Sequence, residues 1–422
     1  MSPFLTLIQL ISEQTMQNVL PILALQPARV ISVQSTQKFT QAVTNIQSAV
    51  GLAHRDGIVK AVPNFEQIVV NSDSPRIEET RQVVAAIYQK HPEAILNYTG
   101  GTKNMSIGAW LAAQAAGARA IYCDTPREFL TEPTGEGTRE MTFPITLPEL
   151  AQKLTVEIVL AAQGLHEKCK WKEGGQSPEN EAFGEIAMEL AHQDHTTMQR
   201  LRNIIRMHGL NGKSGTPTKE DLDRVDQNPI PLGDLESKVR PFLEAAKQCD
   251  WLIEVEGSGW FFNVRNEGGG KKRRQILKSI IMHLEGDAFE IYVQICLKKS
   301  RRFTHYFHSV QPKSASETPD FGETDFLAFD PKELSLTLIT CKSSPPSLEH
   351  LESVLARKEK FGGRFTKGLL CVMGADQPQK DKLKMQTRLL GLELAVGKEE
   401  IISVLQCPSD ADIPPEKVAS SH

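Results

Sequence analysis

Five short apolar runs alternate with amphipathic stretches over the first 123 residues of the chain, and this alternation constrains the fold more than any other feature. The runs are residues 4–11, Arg29–Val33, Gln67–Val70, Ala94–Leu96 and Arg119–Cys123. Between them lie helical patterns: one carrying Met16, Val19, Leu20 and Ile22, then others at about 37–53, 77–90 and 103–116. Strand and helix in alternation predict a parallel, doubly wound sheet. Ligands of such sheets bind beyond the carboxyl ends of the strands. The polar junction after the first strand, the one after Leu96, Ser35-Thr36 and Asp124-Thr125 therefore open on one edge. One pocket is implied.

The junction after Leu96 reads Asn97-Tyr98-Thr99-Gly100-Gly101-Thr102-Lys103-Asn104. A strand that feeds a glycine turn and then a helix aims backbone N–H groups and a positive dipole end at one spot. Thr99 and Thr102 add hydroxyls and Lys103 a charge, so the stretch is either a phosphate cradle or an ordinary tight turn. It matches neither the Walker loop nor the dinucleotide fingerprint. The first junction, Ser12-Glu13-Gln14-Thr15, is either a second wall of the pocket or a helix cap.

At 422 residues the chain is long enough for two or three domains, and 40% apolar with 24% charged residues is a globular composition. No apolar run approaches the roughly 18 residues of a membrane span, and the N-terminus lacks a basic flank and cleavage site. A cytoplasmic protein with no membrane partner is expected. The seven cysteines are scattered without a Cys-x-x-Cys pair, which indicates neither a disulfide framework nor a zinc site. A net charge of −4 restricts any nucleic-acid contact to local patches.

The two junctions, Leu-Ile-Ser-Glu-Gln-Thr and Asn-Tyr-Thr-Gly-Gly-Thr-Lys-Asn-Met, resemble the sensor domain of CRISPR-associated Rossmann-fold (CARF) proteins, in particular the Can/Card nucleases of type III systems. The resemblance covers residues 1–150. It implies a homodimer that binds cyclic tetra-adenylate across its two-fold axis. Carried over by position, Ser12, Gln14 and Thr15 belong to the first ligand loop, and Thr99, Gly100, Gly101, Thr102, Lys103 and Asn104 to the second.

Residues 127–147 read as a hairpin ending this domain, 148–163 as a connecting helix, and 168–180 as a loop, so that 151–180 form a connector. Residues 181–267 give four helices and a short β-hairpin, a winged-helix-like order. The candidate recognition helix, Lys219–Arg224, is acidic, which favours a spacer over a DNA reader. Two basic runs, Lys271–Arg274 after a glycine hinge and Lys298–Arg302, are either solvated faces or a nucleic-acid surface. Between them a long helical pattern from Leu277 to Leu297 carries Glu290 among apolar neighbours, either at the edge of that face or held for chemistry.

Glu323–Phe329 and Leu334–Lys342 are strand patterns about the turn Asp330-Pro331-Lys332-Glu333. A two-residue loop would place Glu323 opposite Thr340 and put Glu323, Asp325, Thr340 and Lys342 on one face. Two carboxylates and a lysine on one side of a sheet are either a seat for Mg²⁺ or Mn²⁺ or a solvated ion-pair face. Residues 275–407 also resemble the PD-(D/E)xK nuclease superfamily and the effector half of the Can/Card proteins. That resemblance implies catalytic Glu290, Glu323, Asp325 and Lys342, with Asp325, Glu323 and Glu290 as metal ligands. Thr340 departs from it, standing where the family carries an acid.

The expected fold class is α/β: a Rossmann-like CARF domain, a winged-helix-like middle segment and an α/β restriction-endonuclease-like domain, followed by a disordered tail at 408–422. The expected function is a cyclic-oligoadenylate-activated, metal-dependent endonuclease on RNA or DNA in type III CRISPR defence. The alternatives are a cyclic-oligoadenylate-binding regulator with a degenerate nuclease domain, and a sensor that cleaves its own ligand.

Overall fold

The apolar runs become parallel strands in the computed structural model, which describes residues 5–70, 72–124, 129–134, 137–140, 143–172, 176–210, 216–264, 269–312, 322–362 and 366–407. The tail expected at 408–422 lies outside the described residues. Contacts divide the chain into two units, each discontinuous in sequence. One is Met1–Lys172 with Arg302–Leu338 and Ala356–Lys367; the other is Glu173–Arg301 with Ile339–Leu355 and Gly368–His422.

In the first unit, β1 (Thr6–Leu10), β2 (Arg29–Gln34), β3 (Asn64–Val69), β4 (Ile95–Asn97) and β5 (Ala120–Asp124) pair in parallel. An antiparallel hairpin of β6 (Phe129–Thr134) and β7 (Gly137–Glu140) extends the sheet, as expected, giving the order β3-β2-β1-β4-β5-β6-β7. Every residue of β1 is buried, because it is central and covered on both faces. β1 lies between β2 and β4, so the strand order reverses there and a crevice opens beyond its carboxyl end.

The crossovers are α1 (Met16–Leu25), α2 (Thr40–Arg55), α3 (Ile77–Lys90) and α4 (Lys103–Ala115). Ile8, Leu10, Val33 and Leu96 of the strands pack with Val84, Ile87, Met105 and Ala109 of α3 and α4. Complete burial of such aliphatic side chains contributes about 1.5–3 kcal/mol each. α3 and α4 approach closely at Gly108, where an added Cβ would lie 2.2 Å from the Ile77 carbonyl oxygen.

The single helix expected at 148–163 is two, α5 (Leu147–Lys153) and α6 (Val156–Ala162). Thr155 breaks it by accepting from the Ile158 amide as an N-cap. A strand, β8 (Cys169–Lys172), forms where a loop was expected, and it pairs antiparallel with β11 (His305–Pro312), a strand the sequence reading did not name. Trp171 stacks on Phe307 at 4.5 Å, which gives the short β8 an apolar anchor.

In the second unit, α7 (Pro178–Gln193), α8 (His195–Gly209), α9 (Lys219–Gln227) and α10 (Glu236–Gln248) precede a hairpin of β9 (Leu252–Val255) and β10 (Gly259–Phe262), in the expected order. Phe183 packs on Phe242 and Trp251, each 4.8 Å away. The long helical pattern is α11 (Gly270–Met282) and α12 (Ala288–Lys299), joined by a π-helical turn at His283–Asp287. Lys271–Arg274 therefore sit in the first turn of a helix.

β12 (Thr324–Asp330) and β13 (Ser335–Lys342) flank a four-residue loop, which corrects the two-residue loop expected. The Asp330 carboxylate accepts from the amides of Lys332 and Glu333 at 3.1 and 3.3 Å, and Leu334 closes the loop at φ 49°. Register counted outward from a two-residue loop therefore does not hold. α13 (Leu348–Gly362) and β14 (Thr366–Val372) follow, then α14 (Gln377–Leu389), β15 (Glu393–Val396) and α15 (Gly397–Leu405).

Read from the sequence alone, Thr387–Leu394 has a helical pattern and Ile401–Leu405 that of a strand; the structure instead ends α14 at Leu389, makes Glu393–Val396 a strand and begins a helix at Gly397. The Glu400 carboxylate accepts from the Val396 amide at 2.8 Å and starts a helix there. Six strands form a second sheet in the order β15-β14-β13-β12-β11-β8. Among the described residues no helix is long and apolar enough to cross a membrane.

Candidate functional site

At the switch point beyond β1 and β4 lies a cleft of about 360 Å³. Ser12, Gln14 and Gln17 line one side, Ser35 and Phe39 another, and Thr99, Gly101 and Thr102 a third. Both expected junctions thus meet in one pocket, and Ser35 joins them from the carboxyl end of β2. Phe39 and Gln17 were not expected; a sequence reading that looks for polar loops passes over residues already inside helical patterns.

Buried amides hold the loops in place. Asn97, fully buried, donates to the Gln17 carbonyl at 3.0 Å and accepts from the amide and hydroxyl of Thr99 at 3.2 and 2.7 Å. Thr99 Oγ1 accepts in turn from the Cys123 amide at 2.7 Å. Asn18 donates to the Leu10 carbonyl at 2.9 Å, and Gln17 Nε2 donates to Ser12 Oγ at 2.6 Å. Burying such groups costs free energy unless each finds a partner, so the network fixes one loop conformation.

The glycines are set by sterics. An added Cβ on Gly100 would lie 2.1 Å from the Leu10 carbonyl oxygen, and Gly101 has φ 77°. Thr102 caps α4, its hydroxyl accepting from the Met105 amide at 3.3 Å. The positive end of α4 therefore opens at the cleft wall.

The expected ligand residues differ in what they offer. Ser12, Gln14, Thr99, Gly101 and Thr102 line the cleft, whereas Gly100, Lys103 and Asn104 are not part of its lining, Gly100 being buried and the other two exposed. The Thr15 hydroxyl donates to the Ala162 carbonyl, tying α1 to α6. Beside the cleft Tyr98 packs against Trp110 and Tyr122 at 5.3 and 5.6 Å, and burial raises the Tyr98 hydroxyl pKa. Ile107 and Leu111, one turn apart on α4, and Tyr122 on β5 remain 46%, 40% and 41% exposed.

The expected nuclease residues divide between the two units. In the first, Glu323 immediately precedes β12 and accepts from Ser309 Oγ at 2.9 Å, and Asp325 is half-buried on the strand. Arg357 of α13 donates to the Glu323 carbonyl and has Asp325 as its electrostatic partner. Burial lowers the Arg357 pKa, and Asp325 opposes the shift. Arg357 was not expected, because one arginine in an amphipathic helix carries no signal until the strand is in view.

In the second unit, Glu290 is half-buried on α12 and Lys342 ends β13. Thr340 is 1% exposed, and its hydroxyl finds no partner among the described residues. Ser343, next after Lys342, has a carbonyl that accepts from Gln199 Nε2 and Arg202 Nη1, both at 3.2 Å. Arg202 is 6% exposed, its Nε and Nη2 are unpaired among the described residues, and burial lowers its pKa to about 10. Burial raises the Glu285 pKa, against the pull of Arg206 and Arg202.

Among the described residues no three His, Cys, Asp or Glu side chains are grouped as a metal site. Mg²⁺ is commonly held by one or two carboxylates, with water and substrate phosphate completing the shell. Glu323 and Asp325, two residues apart at one end of β12, fit that smaller donor set.

Four of the eight basic side chains in the two runs are neutralised. Arg273 makes two contacts to Asp226 at 2.6 and 2.7 Å, Lys298 pairs with Glu181, and Lys299 with Glu185 at 3.2 Å. Arg302 is buried against Asp330 at 2.9 Å. These contacts weigh towards a structural role for the runs over a continuous nucleic-acid surface.

A doubly wound parallel sheet with a polar crevice at its switch point defines the N-terminal region as a Rossmann-like domain. Residues 6–150 match the family described as the Card1 CARF domain. The solved structure of Can2 from Sulfobacillus thermosulfidooxidans in complex with cyclic tetra-adenylate is similar, with a TM-score of 0.64 and 16% identity over 95% of this chain and 96% of that one. Protein VC1899 from Vibrio cholerae is similar with a TM-score of 0.66 and 12% identity, again over 95% and 96%. At these identities the likeness is one of fold, and it extends over both sheets. A comparison with curated proteins gives no match.

Proposed function

We propose that the chain is a cyclic-oligoadenylate-responsive effector of type III CRISPR defence, with cyclic tetra-adenylate as its activator. The carrying observation is the cleft at the β1/β4 switch point, inside the stretch that matches the Card1 CARF domain. The α4 N-terminus, Ser12, Gln14 and Thr102 suit a phosphate, and Lys103 and Asn104 flank it. Thr15 and Thr99, whose hydroxyls serve the fold, shape the pocket together with Gly100 and Gly101. The bound ligand of Can2 supports the choice of ring.

A ring of four phosphates exceeds one such cleft, and the exposed Ile107, Leu111 and Tyr122 beside it offer an apolar surface for a second copy. We therefore read the active form as a homodimer. Binding shifts a pre-existing equilibrium only through differential affinity for the two states.

The effector activity proposed is endonucleolytic cleavage of RNA or DNA, a reading that rests on the sequence pattern and on the fold shared with Can2. Glu323 and Asp325 would hold Mg²⁺ or Mn²⁺, with Glu290 as a further carboxylate. A bound ion supplies polarisation of the scissile phosphate and a lower pKa for an attacking water. Lys342 would orient that water and steady the charge developing on the phosphate oxygens.

Titration calorimetry of the full chain with cyclic tetra-adenylate tests the sensor half, and uptake is expected. Gel cleavage of RNA, single-stranded DNA and duplex DNA with Mn²⁺, with and without the ring, tests the effector half. Uptake without cleavage would favour the binding regulator with a degenerate nuclease domain, to which Thr340 points. Linear fragments of the ring would reveal a sensor that cleaves its own ligand.

A further inference from the structure

Neither the sensor cleft nor the nuclease residues account for a second cavity, of about 430 Å³, between α7, α12 and α15. Its wall carries two cysteines. Cys296 is a buried residue of α12, and Cys407 follows the left-handed cap of α15 and is half-buried. Cys407 Sγ donates to the Cys296 carbonyl oxygen at 3.1 Å, and both residues line the cavity. Lys299 and Lys398 share the cavity wall.

We propose that Cys296 and Cys407 form an oxidant-reactive dithiol, with Cys407 as the attacking thiolate and Cys296 as the resolving thiol. Three features single out this pair. Among the remaining five cysteines, Cys123, Cys169, Cys341 and Cys371 are buried, and only Cys249 is partly accessible. Burial pushes the Cys249 thiol up to about 11, so little of it is ionised. The Cys296 thiol and then the Lys299 charge lower the Cys407 pKa against burial, while the Cys407 thiol and burial raise Cys296.

The oxidant is a hydroperoxide. The Cys407 thiolate attacks one peroxide oxygen, the O–O bond breaks, and hydroxide leaves with the electron pair, giving a sulfenic acid. Cys296 sulfur then attacks Cys407 sulfur, the S–O bond breaks and S–S forms. The Cys296 proton joins the departing hydroxide as water. Two electrons pass from sulfur to peroxide, and two thiols with hydrogen peroxide become one disulfide and two waters. The crosslink would fasten the segment after α15 to α12, the helix that carries Glu290.

The test treats the full chain with hydrogen peroxide after removal of reductant, counts thiols in denaturant and maps the products by mass spectrometry under non-reducing conditions. The titratable count should fall from seven to five, with a Cys296–Cys407 peptide pair that dithiothreitol reverses. In Cys296→Ser, dimedone should label Cys407 as a sulfenic acid; in Cys407→Ser, no thiol should be lost at the same dose. A disulfide through any other cysteine, an unchanged count, or equal oxidation of Cys249 would overturn the assignment. Ligand binding and nuclease activity do not enter these readouts, so the result stands apart from the proposed function.

Discussion

Arg202 donates from Nη1 to the Ser343 carbonyl oxygen 3.2 Å away, and Ser343 is the residue after Lys342. Gln199 shares that acceptor from one turn earlier on α8. The end of the strand that presents the lysine is thus held by two side chains of a helix from the middle segment. We expect Gln199→Ala, which leaves Arg202 to satisfy the carbonyl, to cost about 1 kcal/mol of stability or less. Arg202→Ala removes the charged donor of the two and a buried side chain, and should cost about 2–4 kcal/mol. Chemical denaturation of the two variants measures the difference, and equal costs would contradict the clamp.

Gly100→Ala should damage the sensor directly. Its Cβ would meet the Leu10 carbonyl oxygen at 2.1 Å, a backbone atom that cannot rotate away, so β1 and the loop must separate. A loss of about 1–3 kcal/mol or more is expected, with loss of cyclic tetra-adenylate binding in calorimetry. Gly57→Ala, at a positive-φ glycine with open space around it, is a control that should leave binding intact.

The Arg302–Asp330 pair is buried on both sides, and Asp330 also accepts the two amides that close its loop. Asp330→Ala leaves a buried guanidinium without its carboxylate and should destabilise by about 3–5 kcal/mol. Replacing Lys298, whose partner Glu181 is more exposed, should cost well under 1 kcal/mol. Thermal melts of the two variants compare a buried with an exposed pair.

Two histidines of the second unit predict loss of stability in acid. Burial and the neighbouring Arg202 lower the His195 pKa, and burial lowers that of His208, which lies against Phe262. Below the ordinary value of 6.5 the unfolded chain binds protons that the folded one refuses. Their contribution is whole above pH 6.5 and drains away as pH falls towards the lowered folded values. Denaturation midpoints between about pH 8 and 5 should decline, and His195→Gln with His208→Gln should flatten the decline.

Much of the parallel sheet was legible because a buried central strand leaves an uninterrupted apolar run. Thr6–Leu10 and Ile95–Asn97 were read nearly to their ends. The pocket was legible for the same reason, since strand ends in such a sheet share an edge. Asn97 and Asn18 were not read as its scaffold, because a buried amide looks like any loop or helix polar residue until its partners are seen. The second sheet was harder. β11 sets adjacent aromatics, Tyr306 and Phe307, between two histidines with no period-two pattern, and β8 has four residues in a charged stretch. Ile401–Leu405 has the composition of a strand, and only the Glu400 side chain reaching the Val396 amide reveals a helix start. The loop after Asp330 misled by its proline, because Asx-type hydrogen bonding lengthened the turn by two residues.

The π-helical turn at His283–Asp287 has one further consequence. Each residue of an α-helix advances about 100° around the axis, so one extra residue within a turn rotates everything downstream by that angle. Glu290, downstream of the turn on α12, therefore owes its heading to a surplus residue upstream. Winding that turn into regular α-helix with all its residues kept would leave the composition of α12 untouched and aim its carboxylate elsewhere, a lesion invisible to any comparison that asks only whether the glutamate is present.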